Sequence, residues 1–179
     1  MGKSVFLWAE RLRNMDSLLG FKSCACAAPL ESGLANDALV LAFQTPSQRD
    51  QFHLYGNKGI VFIDGIHNVQ KYDIMCVTCA ESLGSWYTTI FMICDESIEK
   101  YLGLPVAWMM ASYRTEETIA CFLRKHNPFT ISWPFMSDRD LAQINAIVLR
   151  YPESEVWLCW WHVLHALQQH FVTSKHELL

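Results

Sequence analysis

Short apolar, β-rich runs trade places with amphipathic ones through the second half of the chain. That alternation constrains the fold more than any other property of the sequence. Tyr87 to Cys94 and Leu104 to Ala111 read as strands, and Thr115-Glu116-Glu117-Thr118 opens a helix to about Arg124. Thr130 to Ser137 reads as a strand and Asp140 to Arg150 as a helix with Leu141, Ile144 and Val148 on one face. Glu155 to Trp160 is then a strand and Trp161 to Val172 a helix. Upstream, Ala38 to Thr45 has the composition of a strand, and Pro46 begins a helix through Tyr55, because proline suits a first helical turn. Gly59 to Asp64 is a short apolar run cut off by a carboxylate. Strands first, then strand and helix in turn, predict an α/β fold with a mixed sheet rather than a sandwich or a bundle.

Ahead of this pattern, Ser4 to Leu19 places Val5, Trp8, Leu12, Met15 and Leu19 at helical spacing, with Ser4 as N-cap and Gly20 just past the end. Residues 22–37 are small, polar and punctuated by Pro and Gly, which predicts a loop or linker. The organisation expected is a helix and linker over 1–37, a core over 38–172 and a polar tail over 173–179. At 179 residues the chain suits one domain. Its 51% hydrophobic and 18% charged content argues against disorder and a coiled coil. A net charge of −4 supplies no global basic field, so any nucleic-acid role must come from a local site. Seven cysteines, an odd count, and an opening apolar run interrupted by Glu10, Arg11 and Arg13 predict a reduced, intracellular protein without a secretory signal. Val156 to Ser174 carries no formal charge, yet its His162, His165, His170, Gln168 and Gln169 argue against a membrane span.

Two acids end apolar runs: Asp64 in Gly59-Ile60-Val61-Phe62-Ile63-Asp64, and Asp138 in Phe135-Met136-Ser137-Asp138. They meet if their strands are neighbours in one sheet. Two carboxylates so placed make a site for Mg²⁺ or Mn²⁺, because hard oxygen donors suit these cations and the cation offsets the mutual repulsion. The competing reading makes Asp64 a turn residue and Asp138 or Asp140 a helix cap. Cys159-Trp160-Trp161-His162 has a zinc-compatible Cys-x2-His spacing. The other candidate ligands, Cys76, Cys79, Cys24, Cys26 and His170, do not complete a recognised finger. In the last helix Trp160, Val163, Leu164, Leu167 and Phe171 form a stripe expected to be core, while His162, His165 and Gln169 share another face. There is no phosphate loop, dinucleotide fingerprint or nucleophile elbow.

Five ordered blocks together resemble the Mutator-like element (MULE) transposases. Leu41-Ala42-Phe43-Gln44-Thr45-Pro46-Ser47-Gln48-Arg49 is similar to the family's strand and Q-R helix. Phe62-Ile63-Asp64-Gly65-Ile66-His67-Asn68 resembles its D-G-T-H block, with Ile66 in place of the usual Thr. Leu104 to Trp108 with Thr115 to Thr118 resembles the next strands and helix. Met136-Ser137-Asp138-Arg139-Asp140 with Asn145-Ala146-Ile147 resembles the second acidic block, and Cys159-Trp160-Trp161-His162 the Cys-x2-His block.

The resemblance implies an RNase H-like mixed sheet flanked by helices, and a cut-and-paste DNA transposase acting in the nucleus. Such an enzyme uses Mg²⁺ or Mn²⁺ to hydrolyse a phosphodiester and then to join the freed 3′-hydroxyl to target DNA. Asp64 and Asp138 would be the first two metal ligands, and His67, Cys159 and His162 supporting residues. The partners implied are transposon ends and target DNA, with a homo-oligomer compatible and no membrane. The family's third acid has no match before Leu179, and Glu177 is a poor substitute, so the core is expected to be incomplete at its C-terminus and inactive alone. Apolar surface is expected where the remainder would dock. Residues 73–86 stand as an insert relative to the family, and Cys76 and Cys79 fall inside it. The alternative is a domesticated or decayed module, without catalysis, that binds DNA or protein.

Overall fold

A computed structural model describes residues 3–30, 32–55, 60–66, 87–94, 103–113, 115–126 and 134–176. The elements run α1 (Lys3–Asn14), β1 (Leu18–Lys22), β2 (Val40–Phe43), α2 (Pro46–Tyr55), β3 (Val61–Ile66), β4 (Tyr87–Cys94), β5 (Gly103–Ala111), α3 (Glu116–His126), β6 (Phe135–Ser137), α4 (Leu141–Arg150), β7 (Val156–Leu158) and α5 (Trp160–His176). The fold is a mixed α/β one, as the alternation predicted. The strand order is β1-β2-β5-β4-β3-β6-β7. From β1 to β3 all neighbours are antiparallel, whereas β6 pairs parallel to β3 and β7 parallel to β6.

The N-terminal expectation is corrected at one point. The helix predicted over Ser4 to Leu19 stops at Asn14, and Leu18–Lys22 forms an edge strand antiparallel to β2. The stop is local: Asp16 takes a left-handed φ of 51°, Asp16 N–H donates to Arg13 O at 3.1 Å and Ser17 N–H to Leu12 O at 2.8 Å. That pair of bonds is a Schellman C-cap built on an aspartate, one of the few non-glycine residues that tolerate this conformation. Residues 1–37, expected as helix and linker, therefore add a strand to the same sheet as the core.

Sequence also fixes the entry to α2. Thr45 Oγ1 accepts from Gln48 N–H at 3.2 Å, while Gln48 Oε1 accepts from Thr45 N–H at 3.0 Å. This is a capping box, with Pro46 in the first turn.

One main core joins the buried face of the sheet to α3 and α4 through Val40, Val61, Ile63, Phe135, Ile119, Phe122 and Ile147. Phe135 and Ile147 are fully buried, and each such side chain contributes about 1.5–3 kcal/mol relative to exposure. A smaller cluster seats α1 on the sheet through Val5 and Leu39, packed by Phe21 and Met110.

Candidate active site

Strand parity places the acids. Along β3, Val61 and Ile63 are buried in the core, and along β6 Phe135 and Ser137 are. Phe62 and Asp64, like Met136 and Asp138, are only half-buried, so they belong to the other parity. The register pairs Ile63 with Ser137 and Ser137 with Leu158. One residue further on, Asp64, Asp138 and Cys159 therefore lie in one row, just past the ends of β6 and β7, while β3, expected to stop at Asp64, continues to Ile66 because β4 goes on pairing with it. Cys159 N–H donates to Ser137 O at 2.7 Å, carrying the ladder to that row.

Local hydrogen bonding turns the chain away from the sheet just beyond. Asp138 Oδ1 accepts from Asp140 N–H at 2.9 Å, and Asp140 Oδ1 accepts from Ala142 N–H at 2.9 Å as the N-cap of α4. Of the competing reading, the cap is found at Asp140, while Asp64 lies within β3 rather than in a turn. Asp140 is the cap, and Asp138 makes a turn bond while standing in the row with Asp64. Beneath it, fully buried Ser137 donates from Oγ to Gln143 Oε1 at 2.9 Å, tying β6 to α4.

The opposite wall comes from α5. His162 Nε2 stands 3.8 Å from Asp64 Oδ1, with the two side chains 29% and 36% exposed. His162 Nδ1 is buried without a hydrogen-bond partner. Trp161 stacks on His165 at 5.1 Å between ring centroids and 6° between planes, and meets His162 edge-on at 4.9 Å. Gln169 Nε2 and His165 Nε2 are 3.0 Å apart. Asp138, Arg139, Asp140, His162, His165 and Gln169 line an open cleft of about 390 Å³. The helix face carrying His162, His165 and Gln169 is therefore part of the cleft.

The apolar stripe on α5 departs from expectation. Trp160, Leu164 and Leu167 are 68%, 40% and 47% exposed rather than core. The reason lies in the sheet: β7 is its edge, with Trp157 and Leu158 themselves exposed, so the strand offers α5 no buried surface to close against.

Cys159 is a half-buried free thiol at the strand-to-helix junction. Among the described residues no group of three or more His, Cys, Asp or Glu is arranged to hold a metal ion. His67, the insert 73–86 with Cys76 and Cys79, and Glu177 lie outside the described residues.

As a donor set, two carboxylates fit Mg²⁺ or Mn²⁺ better than zinc. Mg²⁺ is commonly held by one or two carboxylates plus waters and substrate phosphates, whereas structural zinc needs four nitrogen or sulfur ligands. No described helix is long and apolar enough to cross a membrane. No family model, curated protein or solved structure matches the chain.

Proposed function

We propose that the chain is an RNase H-like core of a MULE-type transposase, descended from metal-assisted phosphodiester hydrolysis and strand transfer on DNA in the nucleus. The observation that carries the reading is the placement of Asp64 and Asp138. These acids, singled out from two ordered sequence blocks, each follow the paired residues Ile63 and Ser137 of two adjacent parallel strands. Further support comes from the mixed sheet, in which the meander β3-β4-β5 is extended beyond β3 by parallel strands reached through helical crossovers. Also in support is the Cys-x2-His block, whose His162 Nε2 stands 3.8 Å from Asp64 Oδ1.

In this reading Asp64 and Asp138 hold Mg²⁺ or Mn²⁺, which when bound activates a water and stabilises the leaving oxygen. Asp140 N–H fixes one Asp138 oxygen, so the turn orients the carboxylate before a cation arrives. His162 faces Asp64 from the helix and limits its rotation. Arg139, which lines the cleft, would be the residue to meet a DNA phosphate. With a net charge of −4, the remaining surface adds little non-specific affinity.

A second reading, a non-catalytic DNA- or protein-binding module, is favoured by the absence of a three-membered metal group among the described residues. A thermal-shift titration with Mg²⁺ and Mn²⁺, run beside the Asp64→Asn, Asp138→Asn double variant, separates the two. A metal-dependent rise in Tm that the double variant lacks supports the catalytic ancestry. An equal response, or none in either protein, favours the binding module.

A further inference from the structure

Lys22 is a buried cation that the cleft does not use. It is the last residue of β1 and is 7% exposed. Its ammonium donates to four main-chain carbonyls: Asn36 O and Ala38 O at 2.8 Å, Cys26 O at 3.2 Å and Ser23 O at 3.3 Å. Three N–H donors serve four acceptors, so two bonds are short and direct while the two longer ones share the third donor. None of the four acceptors carries a formal charge. Asp37, in the same loop, instead accepts from Tyr113 Oη at 2.7 Å.

Convergent carbonyl oxygens are the surroundings of a bound monovalent cation, since oriented carbonyl dipoles replace its hydration shell. Such convergence is unfavourable without a positive charge at its centre, because the carbonyl dipoles repel one another and burial removes their water. Other bonds of the loop include Cys26 N–H to Ser23 O, Ala25 N–H to Ser23 Oγ and Ser32 Oγ to Pro29 O, all short-range, and Ala28 N–H to Asn36 Oδ1, which is exposed. Lys22 reaches both ends, drawing the carbonyls of 23 and 26 toward those of 36 and 38.

We propose that the carbonyls of Ser23, Cys26, Asn36 and Ala38 form a monovalent-cation cage filled by the chain's own ammonium. Emptied of its side chain, the cage is a binding site for a small cation of the ammonium or potassium class. Its effect is to close the β1–β2 corner. Lys22 pairs with Val40 at the end of that ladder, so the cage anchors the edge strand to the sheet.

The test compares Lys22→Ala and Lys22→Met with the parent chain by thermal melting, in methylammonium chloride, potassium chloride or choline chloride at equal ionic strength. Both substitutions are expected to lower Tm in choline chloride by roughly 6–12 °C, the scale of losing charged, buried hydrogen bonds in a chain of this length. Methylammonium or potassium should restore part of that loss in Lys22→Ala, but not in Lys22→Met, whose side chain still fills the space. The parent should not respond. Equal stability of Lys22→Met and the parent overturns the proposal, as does a Lys22→Ala melting point indifferent to the cation. Should Lys22→Ala fail to fold, the native chain decides by ¹⁵N NMR of its lysine side chains. One slowly exchanging ammonium, absent in Lys22→Arg, supports the cage, and ammonium signals that all exchange rapidly overturn it.

Discussion

Two carboxylates in one register row oppose each other, so the proposed metal site predicts a measurable trade between stability and metal binding. Asp64→Asn and Asp138→Asn each remove one charge while keeping side-chain size, and an asparagine at 138 still accepts the Asp140 N–H bond. At a separation of about 5 Å the repulsion is roughly 0.8 kcal/mol in a water-like medium and roughly 3 kcal/mol at an effective dielectric constant of 20. Asp64 is 36% exposed, so screening holds the value near the lower figure. In EDTA at about pH 8, above the ordinary histidine range, each single variant should therefore gain about 0.5–1 kcal/mol, or about 1–4 °C in Tm. The double variant should gain no more than either single one, because the repulsion is removed only once. With a dissociation constant on the order of 1 mM, about 10 mM Mg²⁺ adds about 1.4 kcal/mol to the parent alone and reverses the order. The assay is chemical denaturation of the four proteins with and without Mg²⁺. Loss of stability in both single variants without metal, combined with additivity in the double, would refute the argument that the two acids face one another.

Asp140→Ala removes the α4 cap and should cost about 1 kcal/mol, seen as a Tm lower by about 2–4 °C; an unchanged Tm would mean that the cap contributes nothing. Gly33→Ala puts a side chain at a φ of +69°, where its Cβ would stand 2.8 Å from Glu117 Cγ. A loss of about 1–2 kcal/mol is expected from the backbone alone, with a further loss from the contact that Glu117→Ala partly restores in urea melts. Tyr113 keeps its proton above the ordinary tyrosine value of 10.0, first because Asp37 accepts its hydrogen bond and then because the Asp37 charge opposes ionisation. The folded state favours the neutral phenol, so its stabilising effect is whole below pH 10.0 and disappears as pH rises through the raised value. Ultraviolet titration should show one late-ionising tyrosine that Asp37→Asn shifts back toward the normal range; a titration curve unaltered by Tyr113→Phe counts against it.

Much of the fold was legible because apolar runs and caps agree. The helix that Pro46 begins is entered through the Thr45–Gln48 capping box, and Asp138 follows β6 directly as its apolar run foretold, whereas β3 continues past Asp64 to Ile66 because β4 goes on pairing with it. The segment after α1 was harder to read. Met15 and Leu19 continue the helical spacing of the residues before them, while Leu18-Leu19-Gly20-Phe21-Lys22 is too short to alternate clearly and contains a bulge. Asp16-Ser17 was the available signal, since both residues favour helix ends over interiors. The stripe on α5 shows a different limit. Periodicity reports that one helix face is apolar, but whether that face is covered depends on strand order, and β7 lies at the edge. Lys22 could not be read at all, because its four acceptors are main-chain atoms that any sequence supplies.

The parallel pairing of β3 with β6 makes the acid row an odd-or-even property of the chain. Substitution at Val61, Ile63 or Phe135 costs packing but leaves the count of residues to each acid intact. Loss or gain of one residue between those anchors and Asp64 or Asp138 sends a carboxylate through the sheet to the face that α3 and α4 cover. Side-chain identity along β3 and β6 can therefore vary widely while the two acids keep their common row. A single in-frame codon gained or lost in either short stretch abolishes it in one step.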